Sequence, residues 1–153
     1  MITTLVAVLG TLAGAVVAGL MQHLTAARNA RTAAAERRRQ ALADAVPALL
    51  AAIVTHRGHQ WLKVAARRDG QPDTTEARQA RYAARSAVTS AMDALHMATA
   101  NRELLAAAQA AVDAAMAIGD VPESERDAAG LRARQAHTAL REAGAKALYG
   151  IQI

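Results

Sequence analysis

A chain of 153 residues, 53% hydrophobic but only 2% aromatic and without phenylalanine, has room for one domain besides a terminal extension. It contains no cysteine, which excludes disulfides, thiolate metal ligands and thiol nucleophiles. The formal charge of +5 is uneven: residues 22–85 carry 12 basic and 5 acidic groups, residues 86–153 carry 6 and 8, so positive charge gathers in the first half.

The first element is an uncharged, apolar run from Met1 to Ala27, closed by Arg28, Arg31 and the triplet Arg37, Arg38, Arg39. As a helix it would be about 40 Å long at about 1.5 Å per residue, more than a hydrocarbon core of about 30 Å. Residues 1–27 are therefore predicted to be a transmembrane anchor. Basic residues flanking a span tend to stay in the cytoplasm, and here all of them follow it. The expected location is the cell membrane, single-pass, with the N-terminus outside and the body cytoplasmic. A signal peptide would carry a basic region before its apolar stretch, and this run has none. Within it Gly10, Gly14 and Ala18 recur at intervals of four, a small-residue face that lets helices approach closely in lipid. The five arginines read as topology determinants on a solvated helix surface and as contacts for anionic lipid. Nucleic acid is the weaker candidate, since no recognition motif or stacking aromatics accompany them.

Alanine makes up more than a quarter of the chain, and β-branched and aromatic residues are scarce beyond position 20, so the body is predicted to be all-α with no sheet. Residues 28–153 form the expected cytoplasmic domain, with helices over about 28–69, 74–118 and 123–148. Leu42, Val46, Leu49 and Ile53 alternate steps of four and three, the seam of a coiled coil or bundle. Pro47 should kink the first long helix or break it. Gly70-Gln71-Pro72-Asp73 is the clearest turn, and Asp73 with Glu76 resembles a capping box. Ala84, Val88, Ala91, Leu95 and Ala98 mark the inner face of the next helix, which resumes through Leu104, Leu105, Ala108, Val112 and Ala115 whether or not Asn101 breaks it. Gly119 and Pro122 end that stretch, and Ser124 with Asp127 should start the last helix. The architecture expected is an anchor continuing into a long antiparallel helical hairpin or three-helix, coiled-coil-like bundle.

Catalytic chemistry finds little footing. His56 and His59 lie one helical turn apart, but two imidazoles do not complete a metal site, and no cofactor motif is present. The three serines lack a nucleophile elbow, and no glycine-rich phosphate loop follows a strand. The chain is expected not to be an enzyme. The densest polar and aromatic concentration is His56-Arg57-Gly58-His59-Gln60-Trp61, where Trp61 fits either inter-helix packing or, with His56 and Arg57, a partner interface.

The apolar span ending Gly19-Leu20-Met21-Gln22, the Arg/Ala-rich helix after it, and the His56-Arg57 to Trp61 segment together resemble the small KilB-like proteins of actinobacterial plasmid transfer and spread. Sixteen arginines among eighteen basic residues, with abundant alanine, suit the high-GC coding of such a source. The resemblance implies a membrane-associated accessory protein beside a DNA-translocating ATPase, and it brings no catalytic residues. The expected function is a non-enzymatic, membrane-anchored homo-oligomer that scaffolds or recruits a membrane-protein partner. Two alternatives are a pore-forming or holin-like protein and a helical subunit whose apolar first helix is buried by its neighbours.

Overall fold

The computed structural model describes the backbone of residues 2–150 and the side chains of residues 21–150. The described chain is helical throughout, without strands: α1 (Ile2–Arg68), α2 (Thr75–Ala98), α3 (Arg102–Ala117) and α4 (Arg126–Tyr149), with a 3-10 turn at Glu123–Glu125 before α4. Two compact units divide it at Arg38 and Arg39. In the first unit every described side chain from Met21 to Arg38 is exposed except Ala27 and Ala34, which are half-buried. Among the described residues no helix is long and apolar enough to cross a membrane. The expected anchor over residues 1–27 and its Gly10, Gly14, Ala18 face lie almost wholly outside the residues whose side chains are described.

The second unit is a four-helix bundle, not the expected three-helix one, because the return helix is cut in two. Thr99 takes extended backbone angles (φ −149°, ψ 149°), and its N–H closes α2 on the Leu95 carbonyl at 3.1 Å. Asn101 then caps α3, its side-chain oxygen accepting the Leu104 N–H at 3.2 Å. This cap satisfies one of the amides orphaned at a helix start, which makes a break among good helix formers affordable.

Pro47 neither interrupts nor ends α1, which is helical from Ile2 to Arg68. The proline is exposed, between buried Val46 and Leu49, so its ring and missing donor fall on the outer face. Two expected caps move. Thr74, not Asp73, caps α2 by accepting the Ala77 N–H at 3.2 Å, while Asp73 pairs with Arg81 at 2.7 Å. Ser124 makes no capping bond: the chain enters α4 through the 3-10 turn that follows Pro122, and neither start has a side-chain cap.

The predicted seam does face the core. Val46, Leu49 and Ile53 are buried against Val88, Met92 and Leu95 of α2, Leu104, Ala108, Ala111 and Ala115 of α3, and Leu140 of α4, with Leu42 half-buried beside them. Contacts fix an up-down-up-down order. Val46 meets Gly144 and Trp61 meets Gly130, so 15 residues up α1 correspond to 14 down α4. Lys146 of α4 reaches back to Glu103 at the start of α3 at 2.9 Å. Ala45, Ala108, Ala111 and Ala115 stand among the buried core residues, and such small side chains let helix axes draw together. Gly144 shows how close: a Cβ added there would stand 2.6 Å from Val46 Cγ1.

Candidate functional site

The His56–Trp61 segment occupies the last turns of α1, and helical geometry splits its side chains between two neighbours. His56, Gln60 and Lys63, four and then three residues apart, line a cleft shared with Arg78, Arg81, Tyr82 and Arg85 of α2, with Met116 at the end of α3 and with Asp120 in the turn after it. Arg57 and Trp61 turn instead toward α4. The three residues singled out as a partner interface are therefore not brought onto one exposed face.

Trp61 is half-buried and packs on a second small core of Ile118, Ala129 and Ala133, flanked by Ala114 and Val121. Gly130 makes room for it: a Cβ there would stand 3.0 Å from Trp61 Cζ2. Gly119 does the same for Gln60, whose side-chain oxygen occupies the place a Cβ would take. The sequence marked Gly119 as a helix stop, and α3 does end at Ala117. Its lack of a side chain is used for this close approach. The tryptophan thus joins α1 to α3 and α4 by filling space.

His56 is only 2% exposed. Its Nε2 lies 3.3 Å from the Gln60 amide nitrogen, while Nδ1 has no hydrogen-bond partner. Burial first, then the charge of Arg85 and of His59, push its pKa below the ordinary histidine value, so the imidazole is neutral near pH 7. On the α4 side, Arg57 lies with Arg134 and His137, a cluster in which Arg57 Nε and His137 Nε2 are buried without partners. Burial and then Arg57 lower the His137 pKa, against the raising effect of a hydrogen bond that the ring donates to the Leu50 carbonyl. Burial and then Arg134 also lower that of Arg57.

The arginines that follow the apolar run, Arg28, Arg31, Arg37, Arg38 and Arg39, are all exposed on α1. Among the described residues no group of three or more histidine, cysteine or carboxylate side chains is placed to hold a metal. Sequence reasoning missed Lys63, Arg78 and Arg85 as neighbours of His56, and Arg134 and His137 as neighbours of Arg57. The first set was within reach: counting outward from the turn at Gly70–Pro72 in antiparallel register brings His56 opposite the Arg85 region and Lys63 opposite Arg78 and Arg81. The second depends on the register of α4, which no turn adjoining α1 sets.

Residues 43–148, the bundle with almost no extension, match the family described as KilB plasmid transfer protein. The protein KilB of Streptomyces lividans is 47% identical over 91 residues, which cover 58% of this chain and 59% of that protein. The chain thus aligns with about three fifths of that relative's length. No solved structure matches.

Proposed function

The chain belongs to the KilB plasmid transfer protein family, and from that premise we propose that it is a non-enzymatic accessory protein of conjugative plasmid transfer and spread. In this reading residues 1–27 anchor it in the cell membrane as a single span, N-terminus outside, with the bundle in the cytoplasm. The protein self-associates there and recruits or scaffolds a membrane-protein partner of the transfer machinery.

The observation that carries the reading is the family match, which covers residues 43–148 and so falls on the bundle. The uncharged run before it supports the anchor, as does the exposure of Met21 and Leu24 at its end, 64% and 50%, since neither is packed within the chain. The exposed arginines that follow suit a membrane surface, where each basic residue contributes about 1 kcal/mol with anionic lipid. Small residues at Gly10, Gly14 and Ala18 supply a face for association in lipid. The absence of a nucleophile elbow or phosphate loop from the sequence supports a non-enzymatic role.

Fractionation tests the location. The full-length chain should sediment with membranes through an alkaline wash and be released only by detergent, and deletion of residues 2–27 should move it to the supernatant. Full-length protein in the high-speed supernatant without detergent would defeat the anchor.

A further inference from the structure

The cleft between α1, α2 and the end of α3 has a volume of about 310 Å³ and holds four cationic side chains, Lys63, Arg78, Arg81 and Arg85, against two carboxylates, Asp73 and Asp120. Asp73 is already committed, with both oxygens 2.7 Å from Arg81 Nη2. Arg78 hydrogen-bonds Thr75, and among the described residues Lys63, Arg78 and Arg85 have no carboxylate within ion-pair distance. The lining thus carries a surplus of two positive charges.

Its inner wall is incomplete as a hydrogen-bonding surface. His56, which lines the cleft, has its Nδ1 buried without a partner, and with Nε2 facing the Gln60 amide nitrogen the ring proton falls on Nδ1. A buried polar atom left unpaired costs about 1–3 kcal/mol, so each such group in a folded chain asks for a partner. Guanidinium and ammonium groups beside an imidazole N–H form a donor set that suits phosphate, whose oxygens only accept. A phosphate monoester carries about −1.5 to −2 charges at neutral pH, which matches the surplus.

We propose that this cleft binds a phosphate monoester group, with Arg78, Arg85 and Lys63 neutralising it and His56 donating to it from the buried wall. The site lies wholly within the bundle and stands apart from the anchor and from self-association. Around His56 stand His59 and Lys63 of α1, Arg78, Arg81 and Arg85 of α2, and the carboxylates Asp73 and Asp120; burial, and then Arg85 and His59 among these, push its pKa down. A bound anion offsets the arginines, so the imidazole takes up a proton more readily.

The full-length chain in a non-ionic detergent is titrated separately with inorganic phosphate, a nucleoside monophosphate and a short-chain phosphatidate. The ring carbon-proton NMR signal of His56, assigned by its loss in His56→Gln, reports binding. The expected result is a saturable shift of that signal and a higher apparent His56 pKa in the complex. Arg85→Gln should weaken binding at least tenfold, and Arg132→Gln, exposed on α4, should leave it unchanged. Whichever ester binds more tightly than inorganic phosphate identifies the source of the group, nucleotide or lipid. A His56 signal that none of the three ligands moves overturns the proposal, as does parental affinity in a folded Arg85→Gln variant.

Discussion

At the scale of single residues, close approach between helices rests on positions that have no side chain. Gly144→Ala would set a Cβ 2.6 Å from Cγ1 of Val46, a β-branched and buried neighbour with one strongly preferred rotamer in a helix. Overpacking of this kind costs about 1–3 kcal/mol, more than the roughly 1 kcal/mol of helix propensity that alanine gains over glycine. Gly144→Ala is therefore expected to lower the thermal midpoint followed by circular dichroism. Adding Val46→Ala should be less damaging in that background than in the parent chain, a coupling a double-mutant cycle would measure.

Histidines supply a second residue-level expectation. His56 and His137 both have pKa values below the ordinary histidine value of about 6.5, chiefly through burial. The unfolded chain therefore binds protons more readily than the folded one, and the two groups favour folding fully only above that value. Stability should fall as pH drops below about 6.5 toward the depressed folded values, well above the range in which carboxylates titrate. Thermal midpoints measured from pH 7.5 to 5.5 should decline, and His137→Gln should flatten the decline. A midpoint constant over that range in the parent chain would contradict the placement of both imidazoles.

At the scale of elements, the caps separate what sequence made legible from what it hid. The seam from Leu42 to Ile53, the turn after Asp69 and the inner face of α2 were all readable, because apolar period and turn chemistry are local signals. The break at residues 99–101 was not decided by sequence. Alanine on both sides favours a continuous helix, and Asn101 acts as a cap only once α3 packs back on α1 and α4. Asp73 looked like a cap but is drawn to Arg81, eight residues on, and its neighbour Thr74 takes the capping role. Thr74→Ala and Asn101→Ala should each cost about 1 kcal/mol, the usual loss for removing an N-cap. Ser124→Ala, at a position that caps nothing, should leave the unfolding midpoint unchanged. Equal losses at all three would mean that capping does not distinguish them.

The candidate site was legible only in outline. The sequence drew attention to His56, Arg57 and Trp61 because they are rare residue types in an alanine background. Their separation onto two faces of α1 follows from the 100° step between successive helical residues. What each face meets is a tertiary fact: Arg85 is 29 residues from His56 in sequence, and His137 is 80 residues from Arg57.

At the scale of the whole molecule, the chain combines a bundle shared with the KilB family and an apolar run with a small-residue face. Small residues at buried helix contacts, Ala108, Ala111 and Gly144 among them, make the bundle's stability depend on close helix approach, and its surface keeps large apolar groups exposed, Met97 at 89% among them. In the function proposed above, the apolar run brings copies together in the membrane, so that the bundles form a multivalent scaffold whose effective concentration toward a partner is raised. The most direct test is the native mass of the full-length chain in mild detergent or a lipid nanodisc, measured for the parent and for Gly14→Leu. A defined oligomer in the parent and its loss toward monomer in Gly14→Leu, with helix content unchanged, is the expected result; a parent that is monomeric at every concentration would contradict the proposed self-association.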